Sequence, residues 1–201
     1  MTARSGMGCL VAAMALTVPL RTALAQHGGA TPAPPSAPAE ARQHDFLVGQ
    51  WELEVKVPAQ GLAQKIHGAP KLAGSWKAWR AFDGFGVEDE LRITDVAGNP
   101  LSVLHSMRFY DRTTRQWSIS ALEVYRGRFQ TATAEWKDGA MVQSSRGSDA
   151  DGKPYLTRTR FSDITATSFR FQQDRSYDEG KSWTEGTLRI AAKRIAASAP
   201  H

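Results

Sequence analysis

Residues 72–94 read LAGSWKAWRAFDGFGVEDELRIT. Asp83-Gly84 sits between two runs rich in aromatic and branched side chains, and Asp-Gly is a strong short-range signal for a tight β-hairpin turn. A two-residue loop there places Lys77 opposite Glu90, an opposite-charge cross-strand pair. The same register collects Trp76, Ala78, Val87 and Leu91 on the other face. Turn chemistry and side-chain pattern therefore agree on one antiparallel pair with one wet face and one apolar face.

The pattern continues in both directions. Upstream, Trp51, Leu53, Val55 and Val57 alternate with Gln50, Glu52, Glu54 and Lys56. Downstream, period-two runs cover 101–110, 117–125, 131–136, 140–146, 155–161, 169–174 and 183–194. Turn residues such as Ala97-Gly98-Asn99-Pro100 and Lys137-Asp138-Gly139 separate them. Helical period is confined to a short lead-in over 44–49. The fold class is all-β, with nine or ten antiparallel strands. So many strands must close or split into two sheets, since a long exposed edge invites aggregation. Consecutive hairpins without long crossovers favour an up-and-down barrel over a Greek-key sandwich.

The chain ends are different in kind. Arg4 precedes an apolar run over 9–18, too short to span a bilayer, and Ala23-Leu24-Ala25 provides the small-x-small pattern that signal peptidase reads. A cleavable signal peptide over 1–25 implies an exported protein, periplasmic or extracellular, with no stable membrane insertion after cleavage. Cleavage removes Cys9, the single cysteine, so the mature chain has neither disulfide nor thiol chemistry. Residues 26–43, rich in Pro and Ala, read as a disordered linker, and 196–201 as a disordered tail. The domain proper is then 44–195. Losing Arg4 and Arg21 leaves 23 basic residues against 20 acidic, and the two signs are interleaved, which argues against a nucleic-acid partner.

Signatures of hydrolases, metalloproteases and nucleotide binders are absent, and no His or Cys spacing suits a metal; no metal or cofactor is expected. Candidate site residues are polar groups on otherwise apolar strand faces. His105 alternates with Val103, Met107 and Phe109; Asp89 with Val87, Leu91 and Ile93; Glu123 with Trp117, Ile119, Ala121 and Tyr125. Pairing Ile93 with Val103, and Phe109 with Trp117, sets Asp89 and Glu123 diagonal to His105, with Arg80 diagonal to Asp89. A histidine between two carboxylates could serve as acid, base or polar anchor; internal pairs, Arg80 with Asp89 and His105 with Glu123, are the structural alternative. Trp76, Phe82, Phe109, Trp117 and Tyr125 would line the interior. Arg158, Arg160 and Arg170 share an outward face.

The run His44-Asp45-Phe46-Leu47-Val48-Gly49-Gln50-Trp51 resembles the opening of a bacterial secreted family of unknown function with a lipocalin-like domain. The hairpins at Phe109-Tyr110-Asp111…Trp117 and at 177–183 resemble family features as well. The resemblance implies a lipocalin-like (calycin-type) barrel and no particular activity. Gly49-x-Trp51 is also similar to the first strand of lipocalins, where the Trp plugs the closed end beneath a late-strand Arg, here Arg189 or Arg194. Haem-binding nitrobindin-like barrels share a Gly-x-Trp start but need a late-strand His, which 155–194 lacks. Ser176-x-Asp178-x-Gly180-x-x-Trp183 resembles a sialidase Asp-box, and as a single copy reads as a stable turn.

These readings lead to a binding protein holding a small, mostly apolar ligand inside the barrel, through Trp76, Arg80, Asp89, His105, Phe109, Trp117, Glu123 and Tyr125. The alternatives are an enzyme using His105 with Asp89 or Glu123, and a filled barrel acting as a protein-interaction or envelope module.

Overall fold

Alternation of buried and exposed side chains continues strand after strand, and the strands it builds close on themselves. The computed structural model describes residues 35–59, 68–149 and 151–195. Among them are ten strands: β1 (Gly49–Lys56), β2 (Leu72–Ala81), β3 (Gly86–Asp95), β4 (Pro100–Asp111), β5 (Gln116–Glu123), β6 (Arg128–Lys137), β7 (Ala140–Ser148), β8 (Pro154–Ser162), β9 (Ser168–Ser176) and β10 (Thr184–Arg194). Each pairs antiparallel with its sequence neighbours, and β10 returns to β1 through Trp51 opposite Arg194 and Val55 opposite Ile190. The sheet is a closed up-and-down barrel without a free edge.

Lys77 lies opposite Glu90 and Trp76 opposite Leu91, the register expected from Asp83-Gly84. The loop itself is longer. Phe82–Gly84 forms a 3-10 turn in which Phe82, Asp83 and Gly84 all have positive φ, and Phe85 closes it. The expectations for β4 are overturned by one residue. Ile93 pairs with Ser102 rather than Val103, and Tyr110, not Phe109, pairs with Trp117. Because side chains alternate, that slip exchanges the two faces of the strand. Ser102, Leu104, Ser106, Arg108 and Tyr110 turn inward, and Val103, His105, Met107 and Phe109 lie on the outer face, where Val103 is nonetheless covered.

One end of the barrel is packed with aromatic rings. Trp51, Trp76, Trp117, Phe161 and Phe169 are each at most 2% exposed. The 3-10 turn Asp45–Leu47 caps this end: Leu47 is fully buried, and Phe46 lies edge-on to Phe161 and Phe169. Every indole N–H in the cluster has an acceptor, as buried tryptophans require. Trp51 donates to Leu47 O at 2.7 Å, Trp117 to Gln43 Oε1 at 3.0 Å and Trp76 to Asp89 Oδ1 at 2.8 Å.

Residues ahead of His44 also contact the barrel. Ala39–Arg42 forms a 3-10 turn with Ala41 buried, and Ser36 O accepts a hydrogen bond from Arg112. The expected leader and cleavage site over 1–25, residues 26–34 and the tail at 196–201 lie outside the described residues.

Candidate functional site

The first strand supplies the closed end. Gly49 has φ +130°, and a Cβ there would collide with the Arg194 guanidinium. Only glycine therefore lets Arg194 lie 4.1 Å from the Trp51 ring centroid and donate to Val48 O at 2.8 Å. Of the two candidate arginines, Arg194 covers Trp51. Arg189 lies on the outer face against Gln172. Gly49 and Trp51 thus do structural work, locking the lead-in onto the barrel.

Above the aromatic layer sits a buried ion pair. Asp89, fully buried, accepts from Arg108 Nε at 2.5 Å and Nη2 at 3.3 Å, besides the Trp76 indole. Both carboxylate oxygens are therefore taken, and the pair neutralises itself inside the core. Arg108 Nη1 reaches Gln143 Oε1 at 3.4 Å. The expected partner of Asp89 was Arg80. Arg80 instead binds Asp45 of the capping turn at the rim, because it is the penultimate residue of β2, next to the hairpin loop.

His44 lies in the same layer, fully buried, 4.3 Å from the Trp117 ring in an edge-on contact. Neither imidazole nitrogen has a hydrogen-bond partner. Burial, aided by the nearby Arg108 charge, holds its pKa well below the ordinary 6.5, so the ring is neutral.

Beyond the ion pair the interior opens into a cavity of about 110 Å³. Leu91, Leu104, Ile119, Ala121, Phe171 and Leu188 form its apolar wall, while Ser106, Arg108, Gln130, Gln143, Thr159 and Gln173 contribute polar groups. Ser106 is 1% exposed, and its hydroxyl has no partner within the protein.

Of the residues expected to form a site, Trp76, Asp89, Trp117 and Glu123 are interior. His105 is not: it lies on the outer face opposite Glu90 and Leu122, with its ring 6.0 Å from Trp79. The barrel wall separates it from Asp89 and Glu123, so the proposed triad does not assemble. Phe109 faces outward, stacked at 4.4 Å on Phe82, which is itself 40% exposed. Tyr125 belongs to the turn after β5 and is 53% exposed. Glu123 is buried but local in its bonding, accepting from the Arg126 amide at 2.7 Å and Ser102 Oγ at 3.4 Å. Arg158, Arg160 and Arg170 are outward-facing, and two of them are paired, with Asp174 and Asp163.

Ser106, Arg108, Gln143 and Thr159 were not singled out in the sequence. One signal could have found Arg108: an aspartate on an apolar strand face needs a cation, and Arg108 is the one arginine or lysine of the adjacent strand β4. The serine and glutamines carry no comparable mark. The Asp-box turn is built as a turn. Asp178 accepts from Ser182 N and Oγ and from Ser176 Oγ, which holds its carboxyl down to about 2. Trp183 packs under Arg158 beside it.

Among the described residues, no group of three His, Cys, Asp or Glu is placed to hold a metal, and no helix is long and apolar enough to cross a membrane. Among the described residues, the interior presents hydrogen-bonding groups and apolar surface to the cavity. No family model matches the chain, and no curated protein matches its sequence.

Proposed function

We propose that the protein is an exported, lipocalin-like binder that holds one small molecule in the barrel cavity. The observation that carries this reading is the contrast between the two halves of one interior. The capped half is filled with interlocked aromatic rings, while the other keeps a cavity of about 110 Å³ with a mixed lining. Native interiors leave few voids larger than a water molecule, so space of this size invites an occupant. A dry cavity of about 150 Å³ accepts benzene, and in that proportion the cavity here encloses about four non-hydrogen atoms, the inner end of a longer molecule. The lining also revises the ligand from mostly apolar to apolar with a polar end. An acid/base enzyme built on His105 finds no support, since His105 and the carboxylates occupy opposite faces.

A surface-acting module draws some support from outward-facing Trp79, Phe82, Phe109 and Phe129, which are 36–76% exposed. One experiment separates the two. Native mass spectrometry of protein recovered from its own host is expected to give a chain starting at Gln26 with a small-molecule adduct. That adduct should be lost in Ala121→Leu, which fills the cavity. A bare monomer mass for both proteins contradicts ligand retention, and a dimer or protein adduct favours the surface reading. A mass retaining residues 1–25 contradicts export by cleavage.

A further inference from the structure

The polar corner of the cavity has a defined hydrogen-bonding sense. Arg108 carries five N–H donors, of which three are used, two on Asp89 and one on Gln143. Gln143 spends its Oε1 on Arg108, leaving its amide N–H groups as donors. Asp89 has no oxygen to spare, receiving Trp76 and two arginine N–H groups. Next to them, the Ser106 hydroxyl is 1% exposed, lines the cavity and has no partner in the protein. A buried polar group without a partner is costly to the fold, and its persistence beside a cavity marks where a ligand atom belongs. Donors outnumber free acceptors in this corner, so the matching ligand atom is an acceptor.

Its charge follows from the ion pair. The Arg108 guanidinium is already matched by Asp89 at 2.5 Å, with side-chain exposures of 4% and 0%. A carboxylate would bring a second anion to a neutralised pair and shed its own hydration with no counter-charge to replace it. A neutral carbonyl sheds far less and takes the same hydrogen bonds. The apolar part of the lining, Leu91, Leu104, Phe171 and Leu188, suits a compact hydrocarbon body.

Building on the reading of the cavity as a ligand site, we propose that its ligand is a small apolar molecule bearing an uncharged carbonyl acceptor, a ketone, ester or amide. In this arrangement the carbonyl oxygen is received by Ser106, Gln143 and Arg108. The barrel thereby selects against carboxylates and against pure hydrocarbons.

Three probes of six non-hydrogen atoms test this on the full mature protein: cyclopentanone, methylenecyclopentane and isobutyrate, titrated while the methyl signals of Leu104, Leu188 and Ile119 are followed by NMR. Cyclopentanone is expected to shift these methyls and to bind at least about tenfold more tightly than the other two, the weight of a hydrogen bond that would otherwise go unmade. Ser106→Ala should weaken cyclopentanone about fivefold and leave methylenecyclopentane unchanged. Gln143→Met, of similar length, should act in the same direction. Methylenecyclopentane binding as tightly as cyclopentanone, or isobutyrate binding more tightly, overturns the carbonyl assignment while leaving cavity binding intact. No methyl shift with any probe overturns cavity binding itself, and the carbonyl assignment with it.

Discussion

His44 is a histidine that the fold keeps neutral by burying it completely against Trp117 and within the field of Arg108. The unfolded chain protonates it near pH 6.5, whereas the folded protein does not until well below that. Between those two values the unfolded state binds the extra proton, so stability rises with pH; the contribution is full above the unfolded value and lost as pH falls. From pH 7.5 to 5.5 this amounts to at most about 1.4 kcal/mol of lost stability. His44→Phe keeps an aromatic ring in the site and removes the titration. Urea unfolding at the two pH values should therefore show the wild type losing more than the variant, by up to about 1.4 kcal/mol. Equal losses would place His44 in contact with water or with a proton acceptor.

At the scale of the element, β4 decides what faces the cavity. Its inward set, Leu104, Ser106, Arg108 and Tyr110, is more polar than its outward set, Val103, His105, Met107 and Phe109. A histidine-selective acylating reagent reads the difference directly. Mass mapping of the folded protein should find His105 modified and His44 protected, because His105 projects from the outer wall beside Trp79. Protection of His105 alongside His44 would restore the inward register and dismantle the cavity corner built on Ser106 and Arg108. Residues 72–94 were legible because Asp83-Gly84 pins a register and the apolar face agrees with it. The stretch at 93–111 offered no such pin. The β3–β4 register shifts between Ile93 and Thr94, and the longer loop around Asn99 leaves the count free by one residue. The outer face of β4, with Val103, Met107 and Phe109, is the more apolar of its two faces, so hydrophobicity chose the wrong one. Asp89 and Glu123 were placed correctly for the complementary reason, since β3 and β5 carry one clearly apolar face each. The polar members of the cavity were illegible because a serine or glutamine on a strand has no pattern that announces burial.

The described residues form a barrel with a solid end and a hollow one. Trp51, Arg194 and the lead-in turn seal the first; Gly49, Phe169 and the closed β1–β10 seam hold the seal in place. Strand number and closure followed from the spacing of turns and the need to hide edges, so the architecture was readable before any coordinate. Hollowness was not, because it depends on which side chains are too short to meet across the interior: Ser106, Ala121, Ser145 and Thr159 against Leu104 and Leu188. Whether this hollow holds an organic molecule is tested most directly by a high-resolution crystal structure of protein purified from its own host, without added ligand. Continuous non-water density is expected to fill the cavity of about 110 Å³, with one atom within hydrogen-bonding distance of Ser106 Oγ and the remainder against Phe171 and Leu104. Three or four separate water peaks, the number such a volume holds at about 30 Å³ each, would contradict it.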